Sequence, residues 1–113
     1  MFDSVSSVAL QSALNSLALR QRTIASNISN VNTPGYHAQR VTFEAALAKS
    51  VKAGSGAVEA ATSRSLEPTR LDGSNVNLDT ETLSNIDTVL RYQFATQAVG
   101  GEATSLRTAL RTQ

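Results

Sequence analysis

Apolar residues at alternating spacings of three and four occupy both ends of this chain, and nothing comparable occupies its middle. Leu10, Leu14, Leu17, Ile24, Ile28 and Val31 follow that spacing with one gap, at Gln21. The pattern predicts a helix from about Ser4 to Val31 with a heptad-type seam. Ala13, Ala18 and Ala25 widen the seam with small side chains, which let another backbone come close. At ~1.5 Å per residue this helix would be about 40 Å long.

The second pattern begins near Asp79, the expected N-cap, with Glu81 in the first turn where the helix dipole favours a negative charge. Leu83, Ile86, Leu90 and Phe94 form one stripe. Val89, Tyr92, Val99, Ala103, Leu106 and Leu110 form another, interrupted at Thr96. Arg107 and Arg111 lie in the last turns, the end a cation prefers. Two stripes on one helix imply more than one packing partner. Gly100-Gly101 marks either a kink or break in this helix or a close approach by a neighbouring backbone.

Between the helices, Thr42 to Val51 reads as a short helix with Thr42 as a possible cap. Lys52 to Ser74 mixes Gly, Ala, Ser and Thr with little periodicity, the pattern of loop, short extended structure or disorder. The expected architecture is mainly all-α. Two long terminal helices form an antiparallel hairpin or coiled coil around an irregular, partly disordered middle. The segments are 1–36 (first helix and turn), 37–78 (short helix and flexible middle) and 79–113 (second helix).

Composition sharpens what such a chain can be. Of its 113 residues 41% are hydrophobic but only 4% aromatic, with no tryptophan. Such residues make thin helix–helix contacts more readily than a thick core. Ten basic and nine acidic residues give a formal charge of +1. The basic residues are dispersed, so no nucleic-acid partner is expected. The absence of cysteine excludes disulfides and thiolate metal sites. His37 is the single histidine, so a catalytic or transition-metal site lacks its usual partners, and neither enzyme activity nor a cofactor is expected. No run approaches the ~20 apolar residues that span a bilayer. The opening MFDSVSSVALQSAL has neither a basic leader nor a continuous apolar stretch and is not expected to be a cleaved signal.

Thr33-Pro34-Gly35-Tyr36 fits a type II turn, with proline at its second position and glycine at its third. Proline also biases its predecessor away from helix, which ends the first helix near Val31 or Asn32. Asn27 and Asn30 lie three apart on one face of the final turns. They are either solvated or placed to fix register against a neighbouring helix.

The run from Ala25 to Tyr36, ASNISNVNTPGY, resembles the N-terminal signature of bacterial flagellar rod and hook proteins, approximately A-x-N-I-A-N-x-x-T-P-G-Y. DGSNVNLDTE, from Asp72 to Glu81, and the later Leu90-Arg91-Tyr92-Gln93 are similar to the proximal-rod branch of that family. Ser29, His37 and Asn77 depart mildly from the pattern, and Gly100-Gly101 stands where larger residues are usual. The resemblance implies a structural subunit of the flagellar basal body, exported unfolded by the flagellum's own type III apparatus. Such a subunit assembles through its terminal helices into the periplasmic axle that carries torque from motor to hook. Implied partners are further copies, other rod proteins, the rod-base adapter, the inner-membrane ring and the export gate. The residues expected at the assembly interface are Leu10, Leu14, Leu17, Ile24, Asn27, Ile28, Asn30, Val31, Leu83, Ile86, Leu90, Tyr92, Val99, Leu106 and Leu110. Another rod or hook protein, or a helical export chaperone or adaptor, are the alternatives.

Overall fold

The computed structural model describes residues 4–111, with side chains at 4–101 and 108–110. In chain order the elements are α1 (Val5–Ser29), β1 (Gln39–Thr42), α2 (Glu44–Lys52), β2 (Ala61–Arg64) and α3 (Leu78–Arg111). The chain is mostly helical, two long helices packing together beside a small antiparallel sheet. It is elongated, 67 × 25 × 14 Å.

Local chemistry accounts for the helix ends. Ser4 caps α1 by accepting from the Ser7 N–H at 3.2 Å. At the other end Asn30 is the C-cap, and Gly35 takes φ +74° in the turn that follows. The Tyr36 N–H donates to the Thr33 carbonyl at 3.2 Å, the closure expected of a type II turn. The cap of α3 is Asn77 rather than Asp79: its Oδ1 accepts from the N–H groups of Asp79 (3.0 Å) and Thr80 (3.3 Å). Asn77 is as good a cap as aspartate, and it starts the helix earlier. α3 then runs unbroken through Gly100-Gly101, and a Cβ at either position would meet nothing within 4 Å. No break is found there, and no other part of the described chain comes close.

The middle of the chain takes short extended structure and packs on the helices. β1 and β2 pair antiparallel, Gln39 opposite Arg64 through Thr42 opposite Ala61. Thr42 is therefore a strand residue and does not cap α2. Phe43 holds the cap position without a side-chain hydrogen bond. Further along, Gly56 lies against the start of α1. A Cβ there would stand 2.7 Å from the Val5 carbonyl oxygen and 3.0 Å from the Ala9 nitrogen, and its φ is +79°. Only glycine fits so close an approach in that conformation. The buried Ser12 hydroxyl secures the strap, donating to the Gly56 carbonyl at 3.0 Å and accepting from the Val58 N–H at 3.3 Å.

Leu17, Ile24, Ala38, Val41, Phe43 and Val76 form the apolar core, and it is thin. Buried polar groups outnumber them, among them Asn27, Asn75, Glu81 and Thr88. Hydrogen bonding rather than apolar volume therefore sets much of the geometry.

Candidate assembly surface and the joint that positions it

The joint between α1, β1 and α3 is built on Asn27. Its side chain is fully buried. Nδ2 donates to the Gln39 carbonyl at 2.9 Å and to Glu81 Oε2 at 3.2 Å, while Oδ1 accepts from the Gln39 N–H at 3.0 Å. One side-chain amide thus exchanges both bonds with a strand residue, as a neighbouring strand would. Glu81, also fully buried, accepts from Arg40 on its other oxygen. The buried carboxylate is satisfied by one cation and one amide, the condition under which burying it is tolerated.

Asn75 performs a matching task at the same end of the sheet, just beyond the Gln39–Arg64 pair. Its Oδ1 accepts from the Ala38 N–H at 2.7 Å, and its Nδ2 donates to the carbonyls of Ser65 and Glu67, each at 3.1 Å. The Arg70 side chain donates to the carbonyls of Val31 and Val76, tying the end of α1 to the entry of α3.

A second hub holds the helices further along. Arg20 of α1 grips Glu44 through two hydrogen bonds, 2.6 and 2.8 Å, and also donates to the Val41 carbonyl at 2.8 Å. Its guanidinium lies 4.9 Å from the centre of the Phe43 ring, within cation–π range. Arg91 of α3 reaches the same carboxylate at 3.4 Å. The Glu44 carboxyl is held at about 2, first by the Arg20 hydrogen bonds, against an opposing push from partial burial.

With α3 fixed in this way, its fully buried side chains are polar and a row of its large apolar ones is exposed. Its inward side carries the buried Glu81 and Thr88, with Ser84, Val89, Tyr92 and Ala95 half-buried around them. Its outward side carries Leu83, Ile86, Leu90 and Phe94, all 54–77% exposed. Ser84, Thr88 and Ala95 are small enough to admit close helix packing, and the apolar row on the opposite side is left in water. Val99 and Leu110 continue the exposure. Isolated apolar residues on a surface are ordinary, but a continuous stripe at helical spacing marks an interaction face.

The expected interface residues therefore divide. Leu83, Ile86, Leu90, Val99 and Leu110 are exposed, Tyr92 is half-buried, and the Leu106 side chain lies outside the described residues. Leu10, Leu14, Ile28, Asn30 and Val31 are half-buried along α1. Leu17, Ile24 and Asn27 are buried inside the subunit. Asn27, fully buried with both amide hydrogens engaged, is not accessible to a neighbour. Asn30 is used locally, donating to the Ser26 carbonyl at 2.8 Å and accepting from Thr33 at 3.1 Å. In the turn, Tyr36 lies 3.4 Å from the Ser26 hydroxyl, whereas Thr33 and Pro34 are exposed. Sequence reasoning missed Asn75, Arg40 and Arg70, whose types carry no signal until the fold brings their partners near. No helix among the described residues is long and apolar enough to cross a membrane.

Comparison with known proteins converges on one family. A profile of the family described as "Flagella basal body rod protein" matches residues 9–37, which span most of α1 and its turn. The flagellar basal body rod protein FlgB of Escherichia coli K12 is 33% identical, with 88% of this chain and 88% of that protein covered. FlgB of Salmonella typhimurium is 30% identical over 88% of each chain. FlgB of Bacillus subtilis is 26% identical over 89% of each. Identity at this level, spread over nearly the whole length of both chains and including the turn that ends α1, places the sequence: it belongs to the FlgB family of flagellar basal body rod proteins.

Proposed function

We propose that this structural subunit of the flagellar basal body rod is completed by assembly, with the outward stripe of α3 as its principal contact with neighbouring subunits. The observation that carries the reading is the outward stripe of α3, where Leu83, Ile86, Leu90 and Phe94 face water while the fully buried side chains of the helix, Glu81 and Thr88, are polar. A chain that exposes such a stripe gains by burying it, at about 25 cal/mol per Å² of apolar surface removed from water. Repeated along a rod, modest contacts of this kind add up to the stiffness an axle needs to carry torque from motor to hook.

The two long helices act as an antiparallel pair. Two contacts support that course: Asn27 meets Glu81, and Arg20 shares Glu44 with Arg91, so positions descend α1 as they ascend α3. Leu10, Leu14, Ile28 and Val31 form a secondary seam with adjacent helices in a coiled-coil manner. Partners on this reading are further copies, other rod proteins, the rod-base adapter, the inner-membrane ring and the export gate. Export uses the flagellum's own type III apparatus, and the role is structural rather than catalytic.

Leu90→Glu tests the stripe. Leu90 is exposed in the free subunit, so its stability should change by less than about 0.5 kcal/mol. In an interface the same change buries an unpaired charge, so rods should fail to form. Basal bodies at normal yield would refute the assignment.

A further inference from the structure

The two edges of the β1–β2 sheet are treated very differently. On β1, Gln39 spends its N–H and its C=O on Asn27, and the Val41 carbonyl accepts from Arg20. Both residues therefore face α1, and the alternation of an antiparallel ladder leaves Arg40 and Thr42 facing β2. The Ser65 N–H donating to the Ala38 carbonyl at 2.7 Å continues the same alternation. Opposite them in the register, Ala61 and Ser63 face β1. Thr62 and Arg64 must then turn their N–H and C=O groups outward, and every residue of β2 is exposed. Side chains of α1 plug the β1 edge, and the β2 edge stands open.

Protein sheets ordinarily guard an open edge with lysine, proline or a bulge. Here Ala61, Thr62 and Ser63 are small and uncharged, so an extended backbone can approach. Arg64, at the end of the edge, has no ion pair among the described residues. Beside it opens a pocket of about 330 Å³ lined by His37, Arg64, Ser65, Leu66 and Glu67. Leu66 is 98% exposed. Glu59, at the opposite end, is exposed and would repel a carboxylate there.

We propose that the outer edge of β2 docks an extended segment of a neighbouring protein subunit, which joins the sheet as a third strand and presents a carboxylate to Arg64. The outward N–H and C=O groups of Thr62 and Arg64 supply the backbone bonds, as in strand addition generally. The Arg64 charge sets which way the acidic end lies, and Leu66 supplies an apolar grip. This surface is separate from the α3 stripe, although it rests on the reading that the subunit works inside a rod.

Amide hydrogen exchange, read residue by residue on free subunit and on rods dissolved after quenching, tests it. The amides of Thr62 and Arg64 should exchange freely in the subunit and slow by about tenfold or more in rods, whereas Ser63, already paired with β1, should change little. Fast exchange at both positions in rods would overturn the proposal. So would equal protection of all of β2, the mark of side-on burial. Slow exchange already present in concentrated free subunit would assign the edge to a pairing of two free copies and also overturn it. Thr62→Pro removes only an outward N–H, a replacement an edge strand accepts. It should leave the circular dichroism of the subunit intact and prevent rod formation. Normal rods from Thr62→Pro, alongside their loss in Leu90→Glu, would sink strand addition and leave the α3 assignment standing. If Thr62→Pro disturbs the subunit itself, the exchange pattern of the unaltered chain decides.

Discussion

Asn27 serves as a piece of β-sheet carried on a helix. Its amide answers the Gln39 N–H and C=O and then reaches Glu81, so one side chain joins three elements. Alanine is the better helix former by roughly 0.6 kcal/mol. Against that gain, Asn27→Ala leaves the Gln39 groups and a buried carboxylate oxygen short of partners, a cost of about 1–3 kcal/mol for each unsatisfied buried group. The loss should win, lowering subunit stability by about 2 kcal/mol or more in urea denaturation. Asn30→Ala, which removes only bonds to Ser26 and Thr33, should cost less. Equal stability of Asn27→Ala and the unaltered chain would show that the joint contributes nothing.

At the level of elements, Glu44 is the point where α1, α2 and α3 are tied. Its carboxyl is lowered from the ordinary 4.5 to about 2, chiefly by the hydrogen bonds from Arg20. A depressed carboxyl contributes stability that is fully present above about pH 4.5 and is lost as pH falls through about 2. Glu44 and Arg91 are both well exposed, so solvent screening limits the contribution to about 1 kcal/mol or less. Glu44→Gln should therefore be less stable at pH 7 and lose less on going to pH 3, as read from denaturant midpoints. An unchanged acid sensitivity would remove Glu44 from the account.

The same scale shows what could be read in advance. α1 was legible because its seam is regular and Pro34-Gly35 stops it. α3 was legible as a helix, but its N-cap lay at Asn77 rather than Asp79, since both residue types cap equally well. Which side of α3 faces inward was not legible, because Glu81, Ser84 and Thr88 have no hydropathic signature of a packed face. Short extended structure was one reading of the stretch that holds β2, but β1 and the pairing of the two strands were not legible, for another reason. Four residues each, they are held by Asn27 and Asn75 from distant parts of the chain, and local sequence does not contain those partners.

Over the whole molecule, the interior is small and polar and the exterior of α3 is large and apolar. Hydrogen bonds join the helices, and on the proposed reading the exposed stripe of α3 is covered by a neighbouring subunit. A free subunit should therefore be specifically folded at the joint and incomplete along α3. The chain contains no cysteine, so Leu90→Cys introduces a single thiol in the middle of the stripe. Maleimide labelling of that thiol, compared between free subunit and assembled rods, puts the matter most directly. The thiol should react readily in the free subunit and about tenfold or more slowly in rods, because reaction requires access to the sulfur. Equal rates in the two states would mean that the stripe still faces water in the rod, and would contradict the account.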